Sequence, residues 1–141
     1  MSVPAFVEAR LADDLWKRSD ESNVEEAFTE LGVDPASDFA EFFRRYWGPF
    51  HSERIGHEVL DLIEQDESIV SATQTVREEF GFANRFIVVS TLTGMSVLVY
   101  DVESQRVFDV DFEGGERLLQ SGRLEARWQS WNDFLTDYFG G

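Results

Sequence analysis

The chain has 141 residues, of which 28 are acidic and 12 are basic, so its formal net charge is −16. This charge disfavours binding to a nucleic-acid backbone or to anionic lipid, because both are themselves strongly negative. The sequence contains no cysteine, which excludes disulfide bonds, thiolate metal sites and cysteine nucleophiles.

A chain of this length is expected to form one domain, residues 1–141, with a core large enough to fold without disulfides. No apolar run approaches the roughly 20 residues that a membrane-spanning helix needs. The N-terminal residues also lack the basic and apolar segments of a secretory signal. We therefore expect a cytoplasmic protein that does not bind a membrane.

The first third of the chain predicts three helices. Residues 5–17 have apolar side chains at every fourth position, namely Val7, Leu11 and Leu15. A second helix follows the capping-box pattern Ser22 to Glu25, in which the side chains at both ends accept hydrogen bonds from backbone N–H groups. Gly32 is expected to end this helix.

The third helix is predicted to start at Asp34, as the cap, with Pro35 in the first turn. It has the strongest aromatic stripe in the chain, at the spacing of a single helix face: Phe39, Phe42, Phe43 and Tyr46. Gly48 followed by Pro49 ends the helix. So many aromatic side chains on one face favour core packing over a ligand or cofactor site.

Residues 52–62 predict short extended segments joined by a bend. A fourth helix follows, capped by Asp66 or a neighbouring residue and closed by Gly81. Its predicted buried face has apolar side chains at helical spacing: Ile69, Ala72, Val76 and Phe80.

Residues 85–112 predict the centre of the fold. Three runs of β-branched and aromatic residues are separated by two short polar breaks, which is typical of a three-stranded antiparallel meander. Phe86 to Val89 is apolar on consecutive positions and is expected to be covered on both faces. Thr93 and Gly94 predict a tight turn, because glycine adopts a positive φ without strain. Residues 107–112 alternate apolar and acidic side chains, which predicts one packed and one solvated face.

The remaining segments complete an α+β prediction. Arg117 to Gly122 predicts a single helical turn, and Leu124 to Trp128 predicts a short edge strand. Ser130 to Asp133 predicts the cap of a final helix. The apolar face of that helix is Trp131, Phe134, Leu135 and Tyr138. We expect an antiparallel or mixed sheet of about four to six strands, wrapped on its apolar side by four to five helices.

Several short motifs follow one another in a defined order. They are Leu31-Gly32 with Pro35, Asp38-Phe39 with Glu41-Phe42-Phe43, Trp47-Gly48, Phe86-Ile87-Val88-Val89, Gly94 with Leu98-Val99-Tyr100-Asp101, Val107-Phe108, and Ser130-Trp131 with Asp133-Phe134-Leu135. In this order and spacing they resemble the SUKH superfamily, which includes the yeast cell-wall assembly regulator and many bacterial immunity proteins. The resemblance spans residues 22–139 and leaves residues 1–21 as an additional N-terminal helix.

The resemblance implies an α+β fold and, for a bacterial member, an antitoxin that binds a cognate toxin protein and neutralises it. Many such toxins attack nucleic acids with basic clefts, so we expect a partner with a basic surface. The regulator branch of the family implies an alternative, a scaffold or regulatory protein whose partner is not a toxin. We expect a monomer or weak homodimer without a cofactor.

Few residues suggest catalysis or metal binding. His51 and His57 are the only histidines, and their spacing, even with glutamates nearby, matches no structural zinc pattern. No nucleophile elbow or phosphate-binding loop is present. Asp109 and Asp111 share a strand face, with side chains about 7 Å apart, which fits a hydrolase pair, a cation site or a solvated face. We favour the solvated face, and therefore a protein that is not an enzyme.

The acidic residues form two groups, and we expect one of them to contact the partner. The 58–79 carboxylates are Glu58, Asp61, Glu64, Asp66, Glu67, Glu78 and Glu79, with Arg77 as the single local base. The 101–116 carboxylates are Asp101, Glu103, Asp109, Asp111, Glu113 and Glu116, with only Arg106 nearby. Exposed aromatic side chains would add affinity. Trp47 and Trp128 are the candidates, and burial in the core is the alternative for each.

Overall fold

The computed structural model describes residues 3–19, 23–63 and 67–140. In these ranges the chain forms an α+β fold with six α-helices, one short 3-10 helix and three β-strands. The helices are α1 (Ala5–Arg10), α2 (Val24–Leu31), α3 (Asp38–Arg45), α4 (Ile69–Phe80), α5 (Gly115–Gln120) and α6 (Trp131–Gly140), with the 3-10 helix at Asp14–Trp16. The strands are β1 (Phe86–Val88), β2 (Ser96–Asp101) and β3 (Val107–Asp111). None of the helices in these ranges is long and apolar enough to cross a membrane.

The strands form the predicted antiparallel meander, in the order β1-β2-β3. The turn between β1 and β2 has Gly94 and Met95 at its centre, with φ values of 58° and 67°. Positive φ at both central positions is the geometry that suits the twist of a hairpin. Glycine adopts a positive φ without strain, whereas Met95 adopts it at a cost in conformational energy because of its Cβ atom.

The sheet has fewer strands than predicted. Val59 forms isolated bridges to Phe50 and Ser90, and Trp128 forms one to Val107. These segments, which we expected to be strands, therefore extend the sheet by single pairs only. The expectation of four to six strands is wrong for the described residues.

Strand β1 is short because its pairing with β2 becomes irregular directly after it: the Val89 N–H still donates to the Leu98 carbonyl at 2.9 Å, but the Leu98 N–H has another acceptor. The Leu98 N–H donates to the Ser90 hydroxyl at 2.8 Å. The Val89 carbonyl accepts from the Leu60 N–H at 2.9 Å. The regular hydrogen-bonded ladder between β1 and β2 therefore stops after Val88. The turn centred on Gly94 and Met95 lies beyond the end of this ladder.

One face of the sheet, the first face, packs against α3 and α6. Ile87, Leu98 and Tyr100 belong to this face and to the main apolar core. The Phe39 ring lies 4.5 Å from the Tyr100 ring and 4.8 Å from the Trp131 ring, measured between centroids. The aromatic stripe of α3 is buried as predicted, and so are the four predicted apolar residues of α6.

The opposite face of the sheet, the second face, has its own smaller core. Its side chains alternate along the strands with those of the first face: Phe86, Val88, Val97, Val99, Phe108 and Val110. Val76 of α4 and Leu119 of α5 pack against them. The expectation that helices lie on one side is therefore wrong, because strands that are apolar on consecutive positions need cover on both faces.

One predicted helix end and one predicted helix start differ in the structure. The first helix ends at Arg10, and Leu15 is 75% exposed rather than part of an apolar stripe. The third begins at Asp38, because the Ser37 hydroxyl accepts the Ala40 N–H at 3.2 Å and caps it. The Asp34 carboxylate instead accepts from Ala36 in the preceding turn.

The other predicted helix signals have mixed outcomes. The helix ends at Gly32 and Gly81 are confirmed. The capping box at Ser22 and the cap at Asp66 fall outside the described residues; helix α4 is capped by Ser68. The single turn predicted at 117–122 is the six-residue helix α5, which begins earlier, at Gly115.

Candidate functional site: an apolar groove with acidic ends

Helix α4 covers one edge of the sheet but leaves part of the second face open. The Thr73 hydroxyl accepts the Val88 N–H at 2.9 Å, so the helix protects the outer edge of β1. Between α4 and the hairpin end of the sheet lies a groove of about 550 Å³. This volume lies within the usual range of about 300–1,000 Å³ for a binding pocket.

The floor and the rim of the groove are apolar. Helix α4 and the second face form the floor with Ala72, Val76, Val88 and Val97. The rim consists of Phe80, Leu92 and Met95, which are 47%, 58% and 52% exposed. Only six large apolar side chains are exposed in the described ranges, and these three border one groove. Clustered apolar exposure of this kind is typical of an interaction site, whereas scattered exposure is ordinary.

The hairpin turn and the end of α4 hold the rim in place. Met95 occupies the centre of the turn and Leu92 lies just before it, beyond the regular part of the sheet. The Phe80 ring contacts the Phe112 ring, with 4.6 Å between centroids. Phe80 therefore lies beside the groove, although the helical pattern predicted it to be buried.

The charged residues that line the groove are both acidic. Glu67 lies just before the first residue of α4, and Glu79 lies in its last turn. Both are exposed, and neither forms an ion pair with a described residue. Among the described residues, no lysine, arginine or histidine lines the groove. The two ends of the groove are therefore negative, and no ion pair with a described residue neutralises either glutamate.

The structure separates the 58–79 carboxylates into different environments. Asp61 is completely buried and accepts from the Arg18 guanidinium at 2.7 Å and from the Gly48 N–H at 2.9 Å. It therefore does not lie on the acidic surface where the sequence placed it. Glu58 is partly buried beside His51, at 3.3 Å. Glu78 is exposed on α4, whereas Glu64 and Asp66 fall outside the described residues.

The 101–116 carboxylates are also divided. Asp101 is buried and accepts from Arg85 at 2.6 and 3.0 Å and from the Ser104 hydroxyl at 2.7 Å. Burial opposes ionisation, but these hydrogen bonds outweigh it and lower the pKa of Asp101 below its usual value. Glu103 is exposed, 3.6 Å from Arg85. Asp101 therefore holds the end of the hairpin and is not part of the exposed acidic surface.

Asp109 and Asp111 each have a separate structural role. Asp109 pairs with Arg127 at 2.8 Å. Asp111 accepts the N–H groups of Glu113 and Gly115 at 3.0 and 3.1 Å, which fixes the entry to α5. The two carboxylates do not converge on a common point as a hydrolase pair would.

The two histidines lie in different places. His51 is exposed, whereas His57 is buried, with its ring nitrogens 3.4 Å from the Thr91 carbonyl and 3.2 Å from the Ser96 hydroxyl. His57 thereby joins the 51–60 segment to the hairpin. The described part of the chain contains no group of three side chains suited to hold a metal ion.

Neither candidate tryptophan has a fully exposed ring, and the indole N–H of each is already hydrogen-bonded within the protein. Trp128 is 6% exposed, and its indole N–H donates to Asp137 at 2.9 Å. Trp47 is half-buried, and its indole N–H donates to the Leu15 carbonyl at 2.8 Å. The exposed aromatic side chain at the groove is Phe80 instead.

The sequence analysis did not identify the groove residues Leu92 and Met95, although the sequence contains a pattern that could have indicated them. Apolar side chains flank a turn glycine at a place where polar residues are usual. A long apolar side chain in a turn is therefore a useful indication of a contact surface.

No protein family model and no curated protein matches this chain. The SUKH resemblance accordingly stays a prediction from the residue pattern.

Proposed function

We propose that this protein is a stoichiometric inhibitor, a bacterial immunity protein that binds a toxin with a basic surface and blocks it. The observation that carries the proposal is the apolar groove between α4 and the hairpin, bordered by exposed carboxylates that form no ion pair with a described residue. The net charge of −16 and the SUKH resemblance support it. In this proposal the protein acts in the cytoplasm, as a monomer or weak homodimer without a cofactor.

The two features of the groove have different effects on binding. Negative charge accelerates the encounter with a basic partner over distances comparable to the Debye length, about 8 Å at physiological salt. Apolar rim residues supply the short-range part of the affinity when they leave water. A toxin whose basic cleft is occupied by this surface loses access to its own anionic substrate.

The same surface also fits an alternative function for this protein. As a regulatory or scaffold protein of the cell-wall assembly type, it would use the acidic groove to bind a basic protein that is not a toxin. A carboxylate-dependent hydrolase has less support, because Asp109 is paired with Arg127 and Asp111 holds backbone N–H groups.

The test is co-expression with the proteins encoded beside this gene. We expect one of them to arrest growth when expressed alone, to co-purify with this protein at equal stoichiometry, and to be harmless when both are present. Binding without protection of growth would favour the regulatory alternative. Absence of both binding and protection for every neighbouring protein would contradict the immunity function.

A further inference from the structure

The groove beside α4 has defined ends. Helix α4 has 12 residues and is therefore about 18 Å long. Glu67 lies at one end of it and Glu79 at the other, and the lining between them is mostly apolar, with the hydroxyl side chains of Ser71, Thr75 and Ser90 among it. Two negative groups separated by about the length of this helix, with a mostly apolar stretch between them, form a pattern that a partner segment can match.

The charged residues that line the groove favour a bound segment of positive charge. In the part of the chain that the structure describes, the lining contains two glutamates and no basic side chain. The exposed residues Asp111 and Glu113 flank Phe112, which also borders the groove, and add negative charge nearby. An anionic segment would be repelled, whereas a cation at each end of the occupant would find a carboxylate.

The exposure of the rim favours a protein segment over a small apolar molecule. Small-molecule pockets bury about 70–90% of the ligand surface. Here the side chains at the rim are about half exposed, so the groove is open along its length. An open groove of this kind suits a chain segment that continues beyond it at both ends.

Strand addition to β1 is not available as a binding mode. The Val88 N–H already donates to Thr73, and the Phe86 N–H donates to the Ala83 carbonyl. The outer edge of β1 thus presents neither of these groups to a partner. A strand added to this edge would lack these two N–H donors, so side chains entering the groove are the better-supported mode of recognition.

We propose that the groove binds a linear segment of the partner protein with apolar side chains in its centre and a lysine or arginine at each end. The two cations are about 18 Å apart, which corresponds to about six residues if the segment is extended and about twelve if it is helical. This inference rests on the proposed protein-binding function and adds the chemistry of the bound segment.

The test is a display selection of random 12-residue peptides on the full-length protein, which requires no known partner. Enriched peptides are expected to have an apolar centre with basic residues towards both ends. The double variant Glu67→Lys/Glu79→Lys is expected to bind them at least tenfold more weakly. Its matched control is Glu53→Lys/Glu125→Lys, which makes the same change in net charge at exposed sites outside the groove. The control is expected to bind within twofold of the unmodified protein.

The apolar part of the groove is tested by Leu92→Ser/Met95→Asn. Both residues are more than half exposed, so the variant keeps its core. Asparagine also tolerates the positive φ at position 95 better than methionine. We again expect at least tenfold weaker peptide binding, with an unchanged unfolding midpoint as evidence of an intact fold.

Several results would overturn the inference. One is enrichment of peptides without basic ends, and another is equal binding of the enriched peptides to the groove variants. Failure to enrich any peptide would do the same. Dimerisation that the Leu92→Ser/Met95→Asn variant abolishes would assign the groove to a second copy of the chain. Groove-dependent peptide binding without any toxin partner would retain this inference and reject the immunity function.

Discussion

The two faces of one sheet are covered in different ways. On the first face, α3 and α6 contribute large aromatic side chains, and Phe39, Phe42 and Phe134 are completely buried. On the second face, α4 contributes smaller side chains such as Ala72 and Val76 and leaves a groove. The strands carry apolar side chains on both faces of the sheet, so the difference in cover between the faces comes from the helices. A helix with small apolar residues at the contact covers only part of a sheet and leaves the rest exposed.

The largest difference between the faces is expected for truncation of aromatic side chains. Phe39→Ala is expected to lower the free energy of unfolding by about 3–5 kcal/mol, because it leaves a cavity between Tyr100 and Trp131. Phe80→Ala on the groove rim is expected to cost less than about 1 kcal/mol, since Phe80 is 47% exposed. Urea denaturation measures both. Equal losses in the two variants would remove the distinction between a sealed and an open face.

The carboxylates are expected to differ as the faces do. Asp61→Asn leaves the buried guanidinium of Arg18 without its counter-charge and is expected to cost about 3 kcal/mol. Glu67→Gln, at the end of the groove, is expected to change stability by less than about 0.5 kcal/mol. Thermal unfolding of the two variants at neutral pH is the measurement. A small effect at Asp61 would mean that water or another acceptor replaces the carboxylate.

The buried carboxylate of Asp101 is expected to give stability that depends on pH. Its pKa is lowered in the folded state, so its contribution is present above the unfolded value of about 4 and is lost as the pH falls through the folded value. Asp101→Asn is expected to be less stable by about 2 kcal/mol at pH 7, because charge-assisted hydrogen bonds are lost. The difference from the unmodified protein should shrink in acid. Urea midpoints at pH 7 and pH 3 test this, and a difference that is constant with pH would contradict it.

The smallest effect on stability is expected at the hairpin tip. Met95→Asn is expected to raise the free energy of unfolding by less than about 0.5 kcal/mol, because asparagine tolerates the positive φ better than methionine. Binding of an uncharged solvatochromic dye to the exposed apolar rim should fall in the same variant. Loss of more than 1 kcal/mol would show that Met95 belongs to the core of the second face.

Much of the fold could be predicted from local patterns. The meander follows from three apolar runs with a glycine turn, and α3 and α6 follow from aromatic residues at helical spacing. Both patterns depend on residues close in sequence, where period and turn chemistry act directly. The predicted strands beyond the meander were wrong, because Val59 and Trp128 make single bridges to residues far away in the chain.

The candidate site was less predictable than the fold. A list of carboxylates cannot distinguish Asp61, held by Arg18 across 43 positions, from Glu67, which has no ion pair among the described residues. Phe80 has the same helical spacing as buried Val76 but lies at the end of α4, where the sheet gives it little cover. The sequence shows which residues are acidic or apolar and how they are spaced. The packing of distant segments decides which of these residues are exposed.

The sequence by itself determined an acidic α+β protein with a central hairpin meander and two aromatic helices, because composition and periodicity are local properties. Only the tertiary structure decided that α4 leaves a groove, that Phe80, Leu92 and Met95 meet around it, and that Glu67 and Glu79 mark its ends. The physical reason is that exposure depends on what lies opposite a side chain. Here the opposing groups come from segments about 10 to 45 positions apart.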